Sequence, residues 1–184
     1  LIIMHGLSAS GKSTVAEQLV DKLGAIQICS DIERKRLAGL DMLSRNDFGV
    51  CEGLYDHINT ENTYFKLLSL TQTGLNAGKI IIVDASFLKS AQRQLFMQLA
   101  EKHQIPFIIL ECQAKEELLR LWLKKRQEIQ NLISEAYQEV LTMQINSREE
   151  LSDAEKTKRI AINMEDFKDI NKILPIIKKI IEAE

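Results

Sequence analysis

Three groups of residues have types and spacings suited to handling a phosphorylated ligand. The first is Gly6-x4-Gly11-Lys12-Ser13, within "GLSASGKST". It fits the pattern G-x-x-x-x-G-K-[ST], in which small residues let backbone N–H groups turn inward around a phosphate. Gly6, Ser8, Ala9, Ser10, Gly11, Lys12, Ser13 and Thr14 would form that cradle. Lys12 would reach the β- and γ-phosphates of a nucleotide and Ser13 would offer its hydroxyl to Mg²⁺. The plainer alternative is a Gly/Ser-rich loop that only joins a strand to a helix. The second group is Asp31 with Arg34, one helical turn apart. A carboxylate there could take a proton from an acceptor hydroxyl while the guanidinium fixes an anionic or polar acceptor. Asp31 could instead only cap a helix starting at Ile32. The third is Asp84 in "VDAS", a carboxylate placed to hold Mg²⁺ directly or through water, or else a turn or N-cap aspartate.

The flanking elements give these groups a common place. Leu1 to Met4 are apolar throughout, as in a strand buried on both faces, and Val15, Leu19, Val20 and Leu23 recur at helical spacing until Gly24. "AIQICSD" reads as a second strand ending at Ser30 and Asp31, with "IERKRLAGL" a short helix. Asp41 to Gly53 is polar and weakly periodic, and predicts a loop. Helices are expected over about Tyr55 to Ala77, Ser90 to His103, Lys115 to Gln127 and Glu135 to Ile145; strands over "KIIIVDAS" and "PFIILEC". In the helix from Lys115, Trp122 shares the apolar spacing and reads as core. Ser152 and Glu155 have capping-box spacing, "RIAIN" is a last short strand, and Phe167 to Ile181 a closing helix interrupted by Pro175. Continuously apolar strands alternating with helices predict an α/β fold with a parallel sheet covered on both faces. In such sheets ligands bind beyond the carboxyl ends of the strands, where all three polar groups fall.

Composition removes several classes of function. A chain of 184 residues, 45% hydrophobic and 27% charged, can bury a sizeable core and suits one globular domain. A net charge of −2 supplies no general attraction to nucleic acid or an anionic membrane. No apolar run is long enough to span a bilayer. Cys29, Cys51 and Cys112 have neither metal-ligand spacing nor an even disulfide framework, so the expected compartment is the reducing cytoplasm. His5, His57 and His103 are equally dispersed and predict no zinc site. The chain opens in a strand with no initiating methionine, which suggests a segment of a longer protein.

"GLSASGKST", "SDIERKRLAGL", "GLY" at Gly53, "TYFKLL", "AGKIIIVDASFL", "AQRQ" and "REELSDAEK" follow in order over nearly the whole chain. In this combination the sequence resembles the P-loop kinase superfamily. Within it, the chain is most similar to the bacterial predicted-kinase or AAA-type domains found alone or behind an aminoglycoside phosphotransferase-like domain. The resemblance implies a P-loop NTPase three-layer sandwich with a nucleoside-monophosphate-kinase-like core, like that of gluconate and shikimate kinases. It also implies ATP as donor and a mobile lid, here about Arg126 to Ala136, with Arg126 as its charge-stabilising arginine and Arg93 and Arg148 as weaker candidates. Ala9, where many small-molecule kinases carry glycine, and the lysine-rich "WLKKRQEIQ", without glycine hinges, are departures.

The expected activity is ATP- and Mg²⁺-dependent transfer of a phosphoryl group to the hydroxyl of a small molecule. Lys12, Asp31 and Arg126 would be catalytic, Asp31 and Arg34 substrate-binding, and Ser13 and Asp84 metal-binding. Selectivity would lie in the acceptor-side loop, about 41 to 55, and the sequence names neither the acceptor nor the oligomeric state. Two rivals are a kinase of nucleic-acid 5′-hydroxyls, which the acidic balance and the lack of a basic, aromatic-interleaved stretch disfavour, and a non-catalytic nucleotide-binding regulatory module.

Overall fold

The computed structural model describes residues 1–40, 57–130 and 136–183. Five strands, β1 (Ile2–His5), β2 (Ile26–Cys29), β3 (Ile81–Asp84), β4 (Ile108–Gln113) and β5 (Arg159–Asn163), form one sheet in the order β2-β3-β1-β4-β5, and every pairing is parallel. Of the inner strands, β1 and β3 are buried at each of their four residues and β4 at all but Glu111 and Gln113, whereas the edge strands β2 and β5 are mostly half-buried or exposed. This explains the continuous apolar runs: a strand covered on both faces has no side on which a polar residue meets water.

The helices are α1 (Lys12–Leu23), α2 (Ser30–Leu37), α3 (His57–Asn76), α4 (Ser90–Lys102), α5 (Glu116–Gln130), α6 (Ala136–Ser147), α7 (Asp153–Lys156) and α8 (Leu174–Glu182). Alternate residues of each strand serve opposite layers. Ile3, Val83 and Ile109 meet Tyr64 and Leu67 of α3 and Phe96 and Ala100 of α4. Ile2, Met4, Ile82, Ile108 and Leu110 meet Val15, Ala16 and Leu19 of α1 and Ile177 of α8. The result is the α/β three-layer P-loop NTPase arrangement. A smaller cluster joins Leu7 and Leu88 to Leu119 and Leu123 of α5 and Leu141 of α6, with Trp122 half-buried at its edge.

The closing helix differs from expectation. A 3₁₀ turn over Ile170–Lys172 precedes α8, and Pro175 lies in the first turn of α8 instead of breaking a longer helix. A first-turn residue needs no intrahelical N–H, so proline fits there without loss. Gly24 ends α1 at φ 60°, and Ser152 and Glu155 close a reciprocal capping box on α7, both as the sequence predicts. Among the described residues, no helix is long and apolar enough to cross a membrane.

Candidate active site

The loop between β1 and α1 is shaped by backbone that favours glycine. Gly6 has φ 143° and Gly11 φ 78°. A Cβ at Gly6 would lie 2.6 Å from the Cys112 carbonyl oxygen and 2.9 Å from Ser10 Oγ, so no side chain fits without moving β4 or the loop. A Cβ at Gly11 would meet only the end of the Met164 side chain. Ala9 is also left-handed, at φ 63°, which explains why glycine suits this position. Alanine accepts that conformation at a cost of about 1–2 kcal/mol. The Gly6 N–H donates to the Ser86 carbonyl at 3.1 Å and so ties the loop to the end of β3. No side chain caps the start of α1, which leaves its first N–H groups facing the loop.

Lys12 opens α1, and its Nζ donates to the Leu7 carbonyl at 2.6 Å and toward Ser10 Oγ at 3.5 Å. Burial pushes its ammonium below the usual lysine range; the Asp84 and Asp31 carboxylates oppose that shift and the Arg126 guanidinium adds to it. Three of the other residues expected to act therefore lie within electrostatic reach of this ammonium, though they come from α2, β3 and α5. Ser13 and Thr14 are exposed in the first turn of α1, and Ser10 is buried.

Asp84 ends β3, is 3% exposed, and accepts a 3.0 Å hydrogen bond from the Gln27 amide. It caps no helix, because α4 starts after Lys89. Asp31 lies exposed in the first turn of α2, whose N-cap is Cys29, so the alternative in which it only caps a helix from Ile32 is not met. Arg34, half-buried on the same helix, points Nη1 toward Thr60 Oγ1 on α3 at 3.4 Å. Ser13 and Asp84 supply a hydroxyl and a carboxylate, the hard oxygen donors that suit Mg²⁺ when phosphate oxygens and water complete its shell. The acceptor-side loop with Gly53 and Cys51, and residues 131–135 of the expected 126–136 lid, lie outside the described residues.

Arg93 takes no place at the loop. It is fully buried, forming an ion pair to Glu155 at 2.6 Å and donating to the carbonyls of Phe87, Glu149 and Glu150. It is a brace between α4 and the segment around α7, neither a solvated charge nor a lid arginine. Arg148 is exposed and lines a cavity of about 260 Å³ with His5, Gly6, Leu7, Glu111 and Leu119. His5 Nδ1 lies 3.1 Å from the Phe87 carbonyl, which can only accept, so Nδ1 carries the proton and Nε2 faces Glu111 at 3.7 Å. Burial pushes His5 down, with the Glu111 carboxylate opposing. Burial also raises the Cys29 thiol to about 11 and Cys112 to about 12, so neither supplies a thiolate at neutral pH.

Several supporting residues escape a sequence reading. Phe87 is left-handed at φ 50° with its ring fully buried, held by the Tyr64 hydroxyl on its N–H and by His5 and Arg93 on its carbonyl. Nothing in its residue type announces that conformation. Gln27 did leave a signal, as the polar residue inside the otherwise apolar "AIQIC". Gln144 of α6, whose Oε1 accepts the Ser8 N–H at 2.8 Å, left none.

A family profile described as an AAA domain matches residues 1–151. An uncharacterized protein of Mycobacterium tuberculosis is 24% identical over 119 residues; the match covers 65% of this chain but only 24% of that protein. Kti12 of Chaetomium thermophilum, solved with ADP-AlF3, superposes with a TM-score of 0.72 at 19% identity, covering 98% of each chain. A sugar kinase from Janibacter superposes with a TM-score of 0.67 at 17% identity, covering 97% of this chain and 92% of that one.

Proposed function

The chain belongs to the AAA domain family, and we propose that within it this protein is an ATP- and Mg²⁺-dependent kinase acting on a hydroxyl of a small molecule. The observation that carries the reading is a loop that needs glycine at position 6 and holds Lys12 at the start of a helix, where the charges of Asp84, Asp31 and Arg126 reach its ammonium. The likeness to a sugar kinase supports the choice of a small acceptor.

In this mechanism Lys12 exchanges its bond to the Leu7 carbonyl for oxygens of the β- and γ-phosphates. Ser13 and Asp84 would hold Mg²⁺, which when bound would neutralise phosphate charge. Asp31 accepts the proton of the acceptor hydroxyl as that oxygen bonds to the γ-phosphorus and the bond to the bridging oxygen breaks, leaving ADP. Arg34 holds the acceptor, and Arg126 meets the charge that develops on the transferring group. Catalysis is then mostly positioning and charge compensation. On this reading the 184 residues form one P-loop kinase-like domain that works in the cytoplasm.

The test is an acceptor panel with labelled ATP, run on the protein and on Lys12→Ala. Transfer to sugars or small alcohols is expected, and its loss in Lys12→Ala should accompany a much weaker affinity for ATP than for adenosine. Transfer to oligonucleotide ends would replace the acceptor class. Nucleotide binding with no transfer would make the chain a regulatory module.

A further inference from the structure

One polar contact to the phosphate loop has no part in the chemistry above. Ser8, third in the loop, gives its N–H to Gln144 Oε1 across 136 residues of chain. A backbone N–H can only donate, so the carboxamide must turn its oxygen to Ser8 and its nitrogen to the other side of the same planar group. That nitrogen donates to no group among the described residues.

The packing holds this group in place. Leu141 and Ile145 of α6 sit in the cluster that contains Leu7 of the loop. Beyond α6 the backbone is anchored: the Glu149 N–H donates to the Leu88 carbonyl at 2.8 Å, and Arg93 binds the Glu149 and Glu150 carbonyls. Arg148, four residues past Gln144, lines the cavity beside Gly6 and Leu7. A carboxamide can accept from the loop and donate to a phosphate oxygen together. A carboxylate can only accept, and an ammonium only donate.

We propose that Gln144 is a positioning residue that reads the terminal phosphate, its oxygen fixing Ser8 and its amide N–H meeting an oxygen that a triphosphate has and a diphosphate lacks. The inference rests on the kinase reading for its ligand, but its test needs no acceptor. Gln144→Glu keeps the contact to Ser8 and removes the donor; Gln144→Met, of similar size, removes both.

Calorimetry on the whole chain would compare Mg·ADP with the Mg complex of β,γ-imido ATP. For Gln144→Glu the triphosphate analogue should weaken by at least 10- to 100-fold, about the worth of one hydrogen bond to a charged group, with repulsion between the new carboxylate and that phosphate added and ADP affinity changed far less. Gln144→Met should weaken both nucleotides, because the loop then also loses its anchor. A Gln144→Glu protein that keeps the preference for triphosphate would reduce Gln144 to a strut and overturn the proposal, as would a native protein with no such preference. Loss of the preference in a protein that phosphorylates no acceptor would support the proposal and refute the kinase reading alone.

Discussion

Replacing Gly6 by alanine should do far more damage than replacing Gly24, although both glycines have positive φ. At Gly24 a new Cβ finds no atom within 4 Å, so the change carries only the left-handed penalty of about 1–2 kcal/mol. At Gly6 the same kind of backbone strain is joined by a contact of 2.6 Å to the Cys112 carbonyl. That carbonyl belongs to β4, which is paired on both sides, to β1 and to β5, and it has little room to retreat. Overpacking of this kind adds about 1–3 kcal/mol, which brings Gly6→Ala to roughly 2–5 kcal/mol. For a chain of this size the melting temperature should fall by about 4–20 °C for Gly6→Ala and about 2–8 °C for Gly24→Ala. Thermal melts of both variants, with and without Mg·ADP, make the comparison. Gly6→Ala should also lose most of its ligand-induced stabilisation, because relief of the contact must displace the loop. Equal melting temperatures for the two variants, with normal nucleotide stabilisation at position 6, would refute this reasoning.

Asp31→Asn should slow transfer by about 10²–10⁴ if the carboxylate is the base. Its stability should fall by no more than about 1 kcal/mol, the worth of a charge in the first turn of a helix. Near-normal transfer would remove Asp31 as the base, and recovery at high Mg²⁺ would assign it to the metal's water instead. Arg126→Ala should lower kcat by about 10³–10⁵ with little change in ATP binding; equal losses in rate and affinity would make it a plain binding residue. Glu155→Gln should cost about 3–5 kcal/mol in urea unfolding at neutral pH, because it leaves Arg93 buried without its counter-charge. Burial alone would raise the Glu155 carboxyl, but hydrogen bonds from Arg93 and the Ser152 N–H outweigh it and hold the group below the usual carboxylate range. The pair's contribution is therefore complete above the unfolded value of about 4.3 and is lost as pH falls through the lower folded value. The difference between Glu155→Gln and the native protein should shrink in that acid window, and a difference that grew there would contradict the assignment.

What could be read from the sequence depended on how local the cause was. The first strand, the loop and α1 were legible because pattern, motif and the Gly24 stop are contiguous. The parallel sheet followed from apolar runs that only a doubly covered strand requires. Ser152 and Glu155 were legible as a capping box, but the second use of Glu155, opposite an arginine 62 residues away, was not. An arginine on a helix reads by default as solvated, and only tertiary structure shows Arg93 enclosed. The strand read as ending at Ser30 and Asp31 stops at Cys29, and the helix read as starting at Ile32 starts at Ser30, so Asp31 falls in its first turn; helix starts blur by a residue or two. Gln144 was beyond reach because recognition of a backbone N–H needs no partner of a particular type.

The position of β1 at the centre of the sheet has a kinetic side. Ile2 pairs with Ile82 on one flank and Ile108 on the other, so the strand that carries the phosphate loop gains its second neighbour only when residues 108–113 have been made. At about 5–20 residues per second, a ribosome needs several seconds to supply β4 after β1 has left it. Until then Leu1 to Met4 can pair only with β3, and the flank of β1 that β4 covers stays open. High contact order of this kind slows folding and exposes strands that aggregate. Binding competence should therefore arise late and all at once, making nucleotide capture a sensitive reporter of completed folding and chaperone dependence most acute for nascent chains that end before β4.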